Sequence, residues 1–337
     1  MSQAKEAIRV PEQELLRLVR ELLQANGVEP LTADAVARTI VAAERDGTHS
    51  HGLARIPGYL SSLGSGWVDG GAQMTVEDRA PGVVFVDANN GFAQGAVARS
   101  RDLAIGKARR NGIAIVCIHD SHNFASLWPD LEPFARAGLL ALGFVHSRSR
   151  IVAPGSRKPV LGTNPIAVAV PREGAPPIVW DMAASPMAHG DVILAAKSGK
   201  PLPPGVGVDR DGQPTTDAQA VLDGGAMLPY AGHKGFLAAL LVEVMAAALT
   251  GSRFGFEDTS GRIPGAVTSN AGETILLVNP GSTTDDFAAR IELLVGALAE
   301  AGVDRLPADR RYANREKAAR EGIAIPEAIH ALLHARR

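Results

Sequence analysis

Residues 113–137 read IAIVCIHDSHNFASLWPDLEPFARA, and this stretch indicates how the chain is built. The apolar run Ile113–Ile118 predicts a strand, because Val- and Ile-rich runs of this length favour sheets. A polar loop follows at Asp120–Pro129, and Leu131–Ala137 predicts a helix. Because functional residues often lie in loops held by a rigid scaffold, the stretch predicts a strand that carries site residues at its end.

Strands and helices are distributed unevenly along the chain. Val- and Ile-rich runs bounded by Gly, Pro or Asn predict further strands at 83–86, 139–145, 166–170, 178–180 and 274–278. Apolar residues at helical spacing predict helices near both ends. We therefore predict an α+β fold, in which residues 1–75 and 303–337 form one helical domain. The sheet belongs to a central α/β region, residues 76–302, which allows a division into two subdomains.

The usual nucleotide-binding motifs are absent from the sequence. No G-x-G-x-x-G follows a predicted strand, and no G-x-x-x-x-G-K-[ST] is present. Strands and helices also do not alternate as a doubly wound sheet requires. The sequence therefore indicates neither a doubly wound sheet nor either of the usual phosphate-binding turns. Residues 236–249 are apolar nearly all round, which predicts a buried helix.

Composition narrows the class of protein. The 337 residues are 46% hydrophobic and 21% charged, which suits a folded enzyme. The net charge is −2, which gives no electrostatic case for nucleic acid or an anionic membrane as a partner. A single cysteine, Cys117, excludes a disulfide scaffold and fits a reducing compartment. With no apolar signal core at the N-terminus, we expect a soluble cytoplasmic enzyme.

The densest polar cluster is DGTHSHGLARIPGY, residues 46–59. Histidine titrates near neutrality, and a guanidinium binds a carboxylate through two hydrogen bonds. His51 with Arg55 therefore suits a small anionic substrate that must receive a proton. A metal site is the alternative, but zinc needs three or four ligands, and the next histidines lie in another segment. A helix junction with hydrogen-bonded imidazoles is the purely structural alternative.

Three further clusters contain candidate site residues. Asp181, His189 and Asp191 follow a short apolar strand in a region rich in small residues. Lys234 stands at a predicted helix start, where a phosphate contact is favoured. The third cluster is basic and lies near the C-terminus; a solvated surface explains it as well as a binding role does. Its members are Arg310, Arg311 and Arg315.

Taken together, these clusters resemble the type-2 malate/L-lactate dehydrogenase family, which also holds ureidoglycolate, sulfolactate and diketogulonate oxidoreductases. The shared motifs keep the family's order from about residue 10 to residue 312. Within the family, FASLWPDLEPFA, AHGD and LDGGAMLPYAGHKG look like the Δ1-piperideine-2-carboxylate/Δ1-pyrroline-2-carboxylate reductases. The shared family motifs are HSHG…R..GY (49–59), GTNPIA (162–167), DMAAS (181–185), PPGVGVDRDG (203–212) and GHKG (232–235).

The resemblance implies that NADPH, rather than NADH, reduces a cyclic 2-imino acid to L-pipecolate or L-proline. It implies a homodimer and, in the central region, a sheet-based, non-Rossmann NADPH site. We expect no metal, because the histidine spacing does not supply three or four ligands. His51 matches the proton donor with Ser50 and Asp191 as its relay, Arg55 matches the carboxylate anchor, and Ser149 falls in a substrate-contacting segment. The implied NADPH contacts are His122, Asn123, Phe124, Ala125, Ser126, Asp181, Met182, Ala183, His189, Gly190, His233, Lys234, Arg310, Arg311 and Arg315.

The sequence departs from the reductase pattern in two places. Asn123 replaces a histidine of N-S-H-H-F-A, and residues 146–149 read HSRS where N-S-M-T is usual, with Arg150 next. Arg148 and Arg150 therefore add two cations that would alter substrate preference. Three alternatives stay open: an NAD(P)-dependent 2-hydroxy or 2-keto acid dehydrogenase, a protein that only binds nucleotide, and a metal-dependent hydrolase. The hydrolase would use His49, His51, His119 and His122.

Overall fold

The computed structural model describes residues 8–335, so the outer ends of the predicted helical domain, residues 1–7 and 336–337, lie outside the described residues. The strands are β1 (Ile8–Val10), β2 (Thr75–Ala80), β3 (Val83–Phe92), β4 (Ile113–His122), β5 (Leu140–Val145), β6 (Ile166–Val170), β7 (Ile178–Met182), β8 (Gly207–Val208), β9 (Pro214–Thr215), β10 (Ala226–Met227), β11 (Asn270–Val278) and β12 (Ile323–Ile325). The α-helices are α1 (Glu12–Ala25), α2 (Pro30–Arg45), α3 (Ile56–Gly64), α4 (Ala93–Asn111), α5 (Trp128–Arg136), α6 (His189–Ser198), α7 (Ala218–Leu222), α8 (His233–Glu243), α9 (Phe287–Glu300), α10 (Asp309–Glu321) and α11 (Glu327–His334).

A mixed seven-stranded sheet forms the centre, in the order β2-β3-β4-β11-β5-β6-β7. The β3–β4 pair is parallel, and the other neighbours in this sheet are antiparallel. All six predicted strands are present, and four of them extend further than predicted. Strand β2 was missed, because TVEDRA lies on the exposed edge and has no apolar run. The prediction of a mixed α+β class is therefore confirmed.

Three larger apolar clusters hold the fold together. One lies between the central sheet and helices α4 and α5. A second joins α1, α2 and α3 to the two-stranded β1–β12 sheet, in which Ile8 pairs with Ile325. A third, separate cluster surrounds α6, α7 and the start of α8. Helices from both ends of the chain thus share one core, while the predicted domain boundaries stay a prediction.

The apolar helix near residue 240 differs from its prediction. Helix α8 continues into a π-helical turn at Val244–Ala248, and one face packs inward through Ala239 and Val242. The opposite face is open, with Leu237 49% and Val244 49% exposed. The prediction of a fully buried helix was wrong for this face, because periodicity cannot tell core from an uncovered apolar surface. Within residues 8–335, no helix is both long and apolar enough to cross a bilayer.

Candidate active site

His51 and Arg55 lie between α2 and α3 on two short 3₁₀ turns, His49–His51 and Leu53–Arg55. Glu44, at the end of α2, fixes both turns. Its carboxylate oxygens contact His49 Nδ1 at 2.6 Å and accept a hydrogen bond from the Leu53 amide at 2.9 Å. A Cβ at Gly52 would lie only 2.3 Å from Glu44 Oε2, so the chain needs glycine there. The local sequence thus places the His51 and Arg55 side chains side by side.

The His51 ring contacts two side chains. Its Nδ1 lies 3.1 Å from Ser50 Oγ, and its Nε2 lies 3.4 Å from Arg55 Nη2. Burial, together with the charge of Arg55, lowers the pKa of His51 to about 4, so the imidazole is neutral at pH 7. Since a guanidinium only donates, Nε2 is the acceptor and Nδ1 carries the proton toward Ser50.

Arg55 is held against the aromatic ring of Phe124, 4.3 Å from its centroid. Its Nε is buried without a hydrogen-bond partner among residues 8–335. Burial lowers the pKa of this guanidinium, and the negative charge of Asp191 opposes the shift. Asp191 therefore acts on Arg55, and the structure gives it no hydrogen bond to His51. An arginine with unused donors in a half-buried position is suited to receive a carboxylate.

A second arginine–histidine pair stands at the start of α6. Arg150 Nη1 lies 2.6 Å from His189 Nε2. Burial and the neighbouring Arg150 lower the pKa of His189 to about 3, so this ring is also neutral and accepts the hydrogen bond. The pKa of Arg150 falls to about 10 through burial and the charge of Arg148, which leaves it fully charged at pH 7.

Aromatic and basic side chains gather around the start of α5. Asp181 Oδ2 accepts hydrogen bonds from the Leu127 and Trp128 amides at 2.8 and 3.2 Å and so caps this helix. Burial raises the pKa of Asp181, against the effect of these bonds. Arg311 lies 4.7 Å from the centre of the Trp128 ring and donates to the Val179 carbonyl. Trp128 is itself only 2% exposed, so its ring holds the Arg311 guanidinium in place through a cation–π contact.

One cavity of about 680 Å³ connects these groups. It brings together most of the side chains that the sequence analysis assigned to the site. These are Ser50, His51, Arg55, Asn123, Phe124, Ala125, Ser126, Asp181, Ala183, His189, Gly190, Asp191, Arg310 and Arg311.

Two assigned residues have other partners within the protein. His122 is fully buried, and its ring nitrogens lie 2.9 Å from Asn90 Oδ1 and 2.9 Å from Thr268 Oγ1. Arg315 is not among the cavity-lining residues and forms ion pairs with Asp46 and Glu132. The structure therefore gives both side chains partners within the protein instead of a place on the cavity wall.

Four other assigned residues lie on the outer surface. Ser149 donates a hydrogen bond to the Val160 carbonyl, beside a separate groove. Met182 is 44% exposed, at the end of β7. His233 and Lys234 begin α8 and are exposed, with His233 stacked on Phe236. None of the four lines the cavity in the part of the chain that the structure describes.

Several cavity residues were not assigned from the sequence. Trp128, Trp180 and Arg305 line the wall, and Arg150 was noted only as a departure. Two of the three tryptophans of the chain therefore lie in the site, and a search for aromatic residues beside the polar clusters would have found them. Arg305 carried no signal, since it stands alone in an exposed loop.

Buried carboxyl groups lie directly behind the cavity. Asn123 Nδ2 donates to Glu273 Oε2 at 3.0 Å. Burial, reinforced by the neighbouring Asp130, raises the pKa of Glu273 well above its usual range. Burial also raises the pKa of Asp130 to about 7. Asn123 thus links the cavity wall to a pair of carboxyl groups that keep a proton near neutrality.

The histidines of the hydrolase alternative have separate partners. His49 contacts Glu44, His119 stacks on Phe85, and His122 is held by Asn90 and Thr268. Across residues 8–335, no group of three or more histidine, cysteine or acidic side chains is arranged to hold a metal ion.

The fold and the site place this chain in a known class of dehydrogenases. The family model for malate/L-lactate dehydrogenase matches residues 10–334, and the chain belongs to this family. A Δ1-pyrroline-2-carboxylate/Δ1-piperideine-2-carboxylate reductase of Pseudomonas putida is 52% identical over 95% of this chain and 94% of the relative. A (2R)-3-sulfolactate dehydrogenase (NADP⁺) of Chromohalobacter salexigens is 41% identical over 91% of each. The crystal structure of a Δ1-piperideine-2-carboxylate reductase of Pseudomonas syringae superposes with a TM-score of 0.96 at 49% identity, covering 98% of this chain and 100% of that one.

Proposed function

We propose that this chain reduces a cyclic 2-imino acid, Δ1-piperideine-2-carboxylate or Δ1-pyrroline-2-carboxylate, to L-pipecolate or L-proline with NADPH. The observation that carries the proposal is the contact of a neutral, buried His51 with Arg55 on the cavity wall. This pair supplies a carboxylate anchor and a proton site 3.4 Å apart, as a small imino acid requires. Reductases of these imines at 52% identity support the same reaction.

The cavity residues fit a phosphorylated dinucleotide. Arg310 and Arg305 line the wall and form no ion pair among the described residues, so both are available to a phosphate. Trp180 contributes an aromatic ring to the same cavity wall. The 2′-phosphate that distinguishes NADPH from NADH would be held by this arginine group. NADPH, when bound, supplies a hydride to the C=N carbon, and no glycine-rich turn contributes to the site, which we infer to be non-Rossmann.

Arg55 would bind the substrate carboxylate and thereby orient the imine carbon, which converts binding energy into rate. A carboxylate on Arg55 offsets its positive charge, one of the two causes that lower the pKa of His51. Substrate binding therefore raises the proton affinity of His51. With the charge of Arg55 offset, His51 Nε2 would take up a proton from water and pass it to the imine nitrogen of the substrate. That nitrogen binds the proton with the former C=N electron pair as the carbon receives the hydride. Ser50 accepts from Nδ1 and fixes the ring, while Asp191 limits the net charge around Arg55.

A substrate panel tests this proposal. NADPH consumption is followed with Δ1-piperideine-2-carboxylate, Δ1-pyrroline-2-carboxylate and pyruvate, and each assay is repeated with NADH. We expect turnover with the cyclic imines and a lower KM for NADPH than for NADH. Turnover with pyruvate alone would assign the chain to 2-keto acid reduction. Cofactor binding without turnover on any of the three would leave nucleotide binding as its role.

We also propose that the chain forms a homodimer in the cytoplasm. The supporting observation is the open apolar face of α8, where Leu240 is 42% and Leu241 47% exposed beside Leu237. Contiguous apolar surface of this kind is typical of a protein–protein interface. A second copy of the chain is the partner that the resemblance to homodimeric enzymes favours.

A further inference from the structure

Two arginine–histidine pairs flank the first turn of α6. On one side, Arg55 contacts His51, and a Cβ at Gly190 would lie 3.2 Å from Arg55 Nη2. On the other side, Arg150 contacts His189, the residue before this glycine. Both pairs line the same cavity. The site therefore presents two guanidinium groups near one helix N-terminus, with the Asp191 carboxylate in the same first turn.

Arg150 differs from its neighbour Arg148 in how its charge is balanced. Arg148 forms an ion pair with Asp258 at 3.0 Å and also contacts Ser260. Arg150 forms no ion pair with any carboxylate among residues 8–335, and its side-chain hydrogen bond goes to a neutral imidazole. The carboxylate whose charge reaches Arg150, Asp258, is the one already paired with Arg148. A half-buried cation that lacks an ion pair of its own is costly to the folded state. Such a group is expected where an anion binds.

A monocarboxylate substrate does not use this second cation. Its single carboxylate is matched by Arg55, and Arg150 would remain uncompensated beside it. The other free arginines, Arg305 and Arg310, belong to the group around Trp128 and Arg311 that the cofactor phosphates require. Within the cavity, the Asp191 carboxylate acts on Arg55. Asp258, whose charge reaches Arg150, is already paired with Arg148. Arg150 therefore remains without a paired anion after one carboxylate has been placed on Arg55.

We propose that the preferred substrate is a cyclic 2-imino acid with a second carboxylate on its ring, and that Arg150, positioned by His189, binds this second carboxylate. The proposal rests on the proposed function, since it keeps the same hydride transfer and the same proton site. It adds a dianionic substrate class and makes Arg150 the residue that determines specificity.

Binding of flat pyridine acids tests this proposal without turnover. The four positional isomers that carry the second carboxylate at ring position 3, 4, 5 or 6 are compared with pyridine-2-carboxylate by calorimetric titration. The protein is loaded with NADP⁺, and the buffer is metal-free because these acids chelate metals. A hydrogen-bonded charge pair contributes roughly 1.5–3 kcal/mol, so at least one isomer should bind about 10- to 100-fold tighter than the monoacid. Equal or weaker binding of all four isomers would overturn the proposal.

Variants then test whether Arg150 causes the tighter binding of the dicarboxylate. In Arg150→Met the best dicarboxylate should bind about as tightly as the monoacid. Arg150→Lys should keep part of the preference for the dicarboxylate. Arg157→Met removes the same charge from an exposed position outside the cavity and should leave the preference unchanged. If Arg150→Met instead raises the KM for NADPH and keeps the dicarboxylate preference, Arg150 serves the cofactor and the proposal is wrong.

Kinetics separate this inference from the proposed function. The kcat/KM of Δ1-piperideine-2-carboxylate is compared with that of its ring-carboxylated derivative, with the second carboxylate at the position that the titrations select. A higher value for the dicarboxylate supports both proposals. Reduction of the monocarboxylate alone would keep the proposed function and overturn the dianionic substrate. Reduction of neither imine, with tight dicarboxylate binding intact, would overturn the proposed function and the imine as substrate, and would leave only the binding of a second carboxylate by Arg150.

Discussion

The substitution Arg315→Met tests whether Arg315, on helix α10, stabilises the fold or binds the cofactor. Arg315 donates through Nε and Nη2 to Asp46, at 3.0 and 2.7 Å, and through Nη1 and Nη2 to Glu132, at 2.6 Å each. The Asp46 side chain is 0% and that of Glu132 8% exposed. Removal of the guanidinium would therefore leave two buried carboxylates with fewer partners.

The expected loss of stability follows from these contacts. Breaking a buried ion pair typically costs about 3–5 kcal/mol. Asp46 retains Arg45 at 2.7 Å, and Glu132 retains Arg136 at 2.6 Å, so we expect the lower end, about 3 kcal/mol. At about 2 °C per kcal/mol for a chain of this size, the melting temperature should fall by roughly 6 °C.

The pH dependence has a defined sign. Burial alone would raise the pKa of Glu132, but hydrogen bonds from Arg315 and Arg136 outweigh it and lower the pKa below its usual 4.5. A carboxyl group whose pKa is lower in the folded chain than in the unfolded chain stabilises the fold at pH values above the unfolded pKa. This stabilisation is lost as the pH falls through the folded pKa. The difference in melting temperature between wild type and Arg315→Met should therefore be full at pH 7 and shrink below about pH 4.5.

The assay pairs thermal melting with the KM for NADPH. Arg310→Met is the matched control, because Arg310 stands on the same helix, is exposed and lines the cavity. We expect Arg315→Met to lose stability with little change in this KM, and Arg310→Met to show the reverse. An Arg315→Met variant that melts normally but binds NADPH poorly would refute the reasoning and restore the role that the sequence analysis gave Arg315.

Three further predictions concern catalysis, pH and assembly. His51→Ala should lower kcat by about 10²–10⁴-fold and leave the KM for NADPH nearly unchanged, and near-normal turnover would remove His51 from proton transfer. The raised pKa of Glu273 disfavours folding as the pH rises above 4.5. Glu273→Gln should therefore melt at a higher temperature than wild type at pH 8 and at about the same temperature at pH 5. An increase in melting temperature that is equal at pH 5 and pH 8 would contradict this. Leu241→Glu should convert a dimer to a monomer in analytical ultracentrifugation, whereas an unchanged mass would place the interface elsewhere.

The sequence predicted those parts of the fold and site that depend on neighbouring residues. Six of the seven central strands contain short apolar runs, most of them rich in β-branched residues, so the local pattern located those six. His51 and Arg55 are four positions apart on consecutive turns, and their proximity follows from local structure. The same holds for the loop after β4, where Phe124 and Asn123 reach the cavity.

Features that depend on distant residues could not be predicted. The contact of Arg150 with His189 joins positions 39 apart, and that of Arg315 with Asp46 joins positions 269 apart. A cluster of three arginines looks the same whether each member faces solvent, a ligand or a buried acid. The exposed face of α8 was missed for a related reason, since an apolar helix covered by its own chain and one left open have the same sequence pattern.

The pairing of β1 with β12 determines when the helical core can be completed during synthesis. The hydrogen bond from Arg9 to the Gly322 carbonyl spans 313 residues, and Ile323, Ile325 and Leu333 belong to the same core as α1 and α2. At about 5–20 residues per second, the ribosome needs roughly 15–60 s to deliver these partners. Throughout that interval the apolar sides of α1 and α2 lack part of their cover. Slower translation would lengthen their dependence on chaperones, while a circular permutant joined across β1 and β12 would shorten it.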